Sequence, residues 1–75
     1  AFKIYPNPTN SVLNIQSPIG SEVVIYSLTG TIIKAFKTDK IISAIATENI
    51  SSGIYLIKII NDIRTVTKKI IINNK

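Results

Sequence analysis

Glu22-Val23-Val24-Ile25-Tyr26-Ser27-Leu28-Thr29-Gly30-Thr31-Ile32-Ile33-Lys34-Ala35-Phe36 is the stretch that decides the fold. Two runs of β-branched and aromatic residues flank Thr29-Gly30-Thr31, and such residues fit a pleated sheet better than a helix. Gly30 can take positive φ without a Cβ clash, so the segment reads as a tight hairpin between strands at Glu22–Leu28 and Ile32–Phe36. Val23 and Ile25 share one face of the first strand, and Val24 and Tyr26 share the other. Neither face is polar, which places this strand centrally or under cover on both sides.

Outward from the hairpin the same grammar repeats. On the N-terminal side, Phe2–Tyr5 is a short strand that stops at Pro6-Asn7-Pro8, where two prolines remove amide donors. Val12–Gln16 alternates, with Leu13 and Ile15 inward and Asn14 and Gln16 outward. Ser17-Pro18-Ile19-Gly20-Ser21 is a turn. On the C-terminal side, Lys37–Lys40 is a polar loop, and Ile41–Glu48 can be written either as a short helix or as a strand. Eight residues fall short of a typical isolated helix, so a strand is expected near Ala44–Thr47. Ile50 anchors the following turn inward. Gly53 is expected to need a conformation or a crowded position that launches the next strand.

Ile54–Ile60 places Tyr55, Ile57 and Ile59 on one face. Asn61-Asp62-Ile63 reverses the chain, because Asn and Asp tolerate left-handed geometry. Arg64–Ile72 is the last strand, and its pattern break at Lys68-Lys69 predicts a bulge or an edge position. Seven short strands separated by turn signals every 8–12 residues or so predict an all-β fold, a small antiparallel β-sandwich.

Composition agrees. Among 75 residues there are 18 Ile, 4 Val and 7 Thr, and 45% of the chain is apolar. That is one domain with one core and no room for a second. No apolar run approaches the roughly 20 residues that span a membrane, and the first residues do not form a signal peptide. The chain starts without Met, so it is expected to be a piece of a longer protein whose activity lies upstream. There is no Cys and no His, which removes disulfides and the usual zinc ligands. Net charge is +5, yet the lysines are dispersed and Arg64 stands alone. A solvated surface is the reading, and nucleic-acid recognition is not expected.

The same absences leave little chemistry. Ser-His-Asp and Cys-His arrangements cannot be assembled. Glu22, Asp39, Glu48 and Asp62 lie in or beside separate turns, unlike the paired carboxylates of a glycosidase or the ligands of an EF-hand. Tyr5, Tyr26 and Tyr55 read as core or half-buried aromatics whose hydroxyls find polar partners. No enzymatic activity and no cofactor are expected.

Four ordered segments carry a resemblance: Tyr5-Pro6-Asn7-Pro8 with Leu13-Asn14-Ile15, Val23–Gly30, Ile50-Ser51-Ser52-Gly53-Ile54-Tyr55-Leu56-Ile57-Lys58, and Thr67-Lys68-Lys69-Ile70-Ile71-Ile72. Together they resemble the type A C-terminal sorting domain of the type IX secretion system of Bacteroidota. The resemblance implies an immunoglobulin-like β-sandwich behind a covalently linked upstream cargo domain. It further implies recognition by the type IX translocon, export across the outer membrane, and removal by a surface sorting peptidase, with cargo anchored or released.

By position, Pro6, Asn7 and Pro8 match the opening turn of that family and Gly30 its hairpin glycine. Gly53 and Tyr55 match its glycine–tyrosine signature, and Lys68 and Lys69, followed by Ile70, its terminal basic pair. Thr31 departs from the basic residue that often follows the hairpin glycine, and Asn61-Asp62-Ile63 lacks a frequent glycine. The rival reading is an accessory carbohydrate- or protein-binding β-sandwich of a secreted enzyme, which calls for an exposed aromatic row or a polar groove.

Overall fold

The computed structural model describes residues 2–6, 8, 9, 11–62 and 64–73. Among them lie seven strands and no helix: β1 (Lys3–Tyr5), β2 (Val12–Gln16), β3 (Glu22–Ser27), β4 (Ile32–Lys37), β5 (Ile42–Ala46), β6 (Gly53–Ile60) and β7 (Thr65–Ile72). They form two antiparallel sheets, β1-β2-β5 and β4-β3-β6-β7.

The sheets close on one apolar core. Leu13, Ile15 and Ile45 enter it from the smaller sheet, and Val23, Ile25, Tyr55, Ile57, Ile59, Ile70 and Ile72 from the larger. Phe2, Ile4, Phe36 and Ile50 pack around its margin, so Ile50 is the inward loop anchor the sequence implied. Every buried strand residue falls on the face that period-two alternation assigns to it. β3 is central, between β4 and β6, which explains its two non-polar faces. Val24 and Tyr26, on the outer face, are half-buried.

Several expectations are corrected. The fifth strand is a strand but begins earlier and ends earlier than Ala44–Thr47, because β2 offers a ladder from Val12↔Ala46 to Gln16↔Ile42. No bulge interrupts Lys68-Lys69, where β6 and β7 pair without a break from Gly53↔Ile72 to Ile60↔Thr65. The edge half of that expectation holds, since β7 ends its sheet. The bulge lies in the β3–β4 hairpin, where Ile25 pairs with Lys34 but Tyr26 pairs with Ile32, leaving Ile33 as the extra residue.

The β6–β7 turn uses no left-handed residue at Asn61 or Asp62. Asn61 instead accepts the Arg64 N–H on its side-chain Oδ1 at 3.0 Å and donates its own N–H to the Arg64 carbonyl at 3.0 Å. Ile63 lies outside the described residues. Of the tyrosines only Tyr55 is core; Tyr5 is 41% exposed because it faces out from β1 opposite Asn14.

Candidate functional site

The described residues among those singled out from sequence gather, with one exception, around the second half of β7. Ile70 is fully buried and pairs across the ladder with Tyr55, two steps from the pair Ile72 and Gly53. The Tyr55 ring fills the core while its hydroxyl donates to the Ser51 carbonyl at 2.7 Å. This bond ties the turn before β6 to the strand itself, and a buried phenol is stable there because its one polar atom has a partner.

Pro6 and Pro8 are exposed and flank the point where the chain leaves the small sheet, with the Tyr5–Pro6 bond cis; Asn7 lies outside the described residues. Thr9 then reaches the other sheet. Its N–H donates to the Ile71 carbonyl at 2.9 Å and its carbonyl accepts from the Asn73 N–H at 2.8 Å, a parallel bridge to Ile72. Thr9 itself is buried, and its hydroxyl donates to the Val12 carbonyl at 2.7 Å. The opening turn is thus a strap across the outer edge of the last strand. Sequence reasoning missed Thr9, and nothing local marks it apart from its place after the two prolines.

Lys68 and Lys69 face opposite ways. Lys68 stands opposite the core residue Ile57 and Lys69 opposite the half-buried Leu56. Lys68 therefore occupies an inward register on an edge strand, yet it is exposed, a placement that guards an open sheet edge. Lys69 ends an outer-face row that runs Ile32, Tyr26, Leu56, Lys69 across the four strands. Beside it Ile54 and Ile71 form an apolar pair, 45% and 38% exposed.

Gly30 is the exception. It sits in the β3–β4 turn at φ 93°, with its N–H donating to the Ser27 carbonyl at 2.9 Å. Gly53 has φ 158°, at the margin of extended backbone, and an added Cβ would meet only the Tyr55 ring at 3.7 Å. The positive φ is there, but the crowding is not.

A second missed cluster joins the Pro18–Ser21 turn to the end of β4. Thr38 Oγ1 donates to the Pro18 carbonyl at 3.0 Å and accepts the Ser21 N–H at 3.0 Å, and Ser21 Oγ donates to the same Pro18 carbonyl at 2.6 Å. Both side chains are buried, and the cluster has a structural use only.

The four carboxylates stand apart on β3, in the β4–β5 and β5–β6 loops, and in the β6–β7 turn. Among the described residues no three metal-ligating side chains converge. Tyr5 and Tyr26 project from opposite outer faces, since Tyr5 is out of register with the inward Ile4 and Tyr26 with the inward Ile25. They make no shared aromatic platform.

The architecture is that of a small immunoglobulin-like β-sandwich whose marked residues surround its last strand. The family model described as the secretion system C-terminal sorting domain matches residues 3–73, and the chain belongs to that family. Among solved structures, one of PorZ is similar at TM-score 0.84 and 15% identity over 96% of this chain. PorZ is described as an essential bacterial surface component of the type-IX secretion system of human oral-microbiomic Porphyromonas gingivalis. This chain spans 11% of that chain's length, and the likeness is one of fold. No curated protein matches the chain.

Proposed function

We propose that this domain is a non-catalytic export signal that directs an upstream cargo domain through the outer-membrane type IX translocon. A surface sorting peptidase then removes it, leaving the cargo anchored at the cell surface or released. The reading is supported above all by the family match over residues 3–73. The geometry adds a reason for the signature: Tyr55, Gly53, Ile70 and the strap after Pro8 together hold β7 at the edge of the sheet. With Ile70 and Ile72 anchored inward, Lys69 and Ile71 stand on the outer face, next to Ile54. A partner can read that face without opening the core.

The test fuses the domain behind a reporter with its own inner-membrane signal, in a bacterium with a working type IX system. Lys68→Ala together with Lys69→Ala keeps the β-sandwich by circular dichroism and lowers surface or medium reporter relative to periplasmic reporter. Normal export from a double variant that aggregates on purification assigns the lysines to edge protection instead.

A further inference from the structure

The two sheets have four outer strands, and three are guarded against unwanted pairing. β1 has only three residues. β7 carries the inward-register Lys68 and the Thr9 strap. β4 carries the bulge at Ile33 and an inward-register lysine of its own, Lys34 opposite Ile25. These are the devices by which natural sheets blunt their edges. β5 has none of them. Ile42-Ser43-Ala44-Ile45-Ala46 has no charge and no proline, and it pairs with β2 in unbroken register.

The direction of its free groups follows from the flanking bonds. Ser17 N–H donates to the Ile41 carbonyl at 2.9 Å, and Thr47 N–H to the Ser11 carbonyl at 2.8 Å. In an antiparallel ladder the N–H and C=O of one residue point the same way, and successive residues alternate. Ser43 and Ile45 therefore bond to β2, while the amides and carbonyls of Ile42, Ala44 and Ala46 point away from it. They point to the side where the two sheets part, a gap of about 370 Å³ lined by Lys34, Ala35, Phe36 and by Ala44, Ile45, Ala46.

We infer that the β5 edge accepts an extended, acidic peptide segment of a partner protein by strand addition. The backbone of the segment pairs with Ile42, Ala44 and Ala46, its small apolar side chains face Phe36 and Ile45, and a carboxylate on the same side meets the Lys34 ammonium. The charge selects this occupant. Lys34, Lys37 and Lys40 all lie on or just beyond β4, and the chain carries +5 overall, so a second copy of the domain brings like charge to the same gap. A backbone ladder supplies affinity and the lysine supplies the preference for acid.

The experiment titrates the 75-residue domain with an N-acetylated, C-amidated Val-Ser-Glu-Ser-Val peptide, whose valines and carboxylate share one face of an extended strand, and with its Val-Ser-Lys-Ser-Val counterpart, following amide exchange by NMR. The acidic peptide slows exchange at Ile42, Ala44 and Ala46, binds more weakly in high salt, and outcompetes the lysine peptide. Lys34→Glu weakens it by about tenfold or more. Ala44→Pro removes an amide that faces the gap while the β2 bonds remain, and it abolishes the protection. Circular dichroism checks both variants; should the proline variant unfold, the charge reversal decides alone. The inference is overturned by no response up to about 1 mM peptide, by protection at β7 instead, by equal binding of the two peptides or to Lys34→Glu, or by self-association through the same amides.

Discussion

Deleting Ile70 through Lys75 removes the end of β7, the segment proposed to carry recognition, and with it a piece of the core whose size follows from burial. Ile70 and Ile72 are 0% and 1% exposed, and full burial of a side chain of this size contributes about 1.5–3 kcal/mol. The deletion also cuts both strap hydrogen bonds, Thr9 to Ile71 and Asn73 to Thr9, each contributing about 0.5–1.5 kcal/mol net. Together these come to about 4–9 kcal/mol, before the lost pairing of Gly53, Ile54 and Tyr55 is considered. A domain of this length has a total stability of about 4–11 kcal/mol. The deletion variant is therefore unfolded or close to it at 25 °C, and its loss of export reports folding as well as recognition. Urea titration of the isolated domain, followed by far-ultraviolet circular dichroism, measures this directly. A deletion variant that melts cooperatively within about 1 kcal/mol of the full chain refutes the reasoning, and with it the importance assigned to the strap.

Two further outcomes follow from single contacts. Tyr55→Phe keeps the ring in the core and loses only the bond to the Ser51 carbonyl, so denaturant melts show a loss of about 1 kcal/mol; a change below about 0.3 kcal/mol means the hydroxyl is not holding that turn. Gly30→Ala meets no neighbouring atom but must hold φ near 93°, and it costs about 1 kcal/mol or more. Gly53→Ala likewise costs about 1–3 kcal/mol through its φ of 158° alone, since the nearest atom is 3.7 Å from an added Cβ; a melt within about 0.3 kcal/mol of the original chain contradicts this account.

The strands and their inward faces were legible because one period-two rule governs them. Tyr55, Ile57 and Ile59 alternate with Ile54, Leu56, Lys58 and Ile60, and burial follows that alternation without exception along β6. Ile41–Glu48 resisted because its ends depend on β2, a partner far away in sequence. The Thr9 strap and the Ser21–Thr38 tie left no local trace for the same reason: each exists only because particular edges meet. The site was legible as a set of marked residues, through a family resemblance, but not as a place. That Lys68 faces the core side and Lys69 the outer side depends on the unbroken β6–β7 register, whereas the break in pattern at these residues suggested a bulge.

The strap sets an order of events. Thr9 and Ile72 stand at nearly opposite ends of the chain, and closing a loop of that length costs about 4 kcal/mol of chain entropy. The β3–β4 and β6–β7 hairpins need only local closure and form first; the contact between first and last segments waits for both. A chain whose hairpins have paired but whose first and last segments have not yet met thus carries an uncapped β7 edge. The state in which β7 is most accessible is a transient one, defined by the time before its own N-terminal turn arrives.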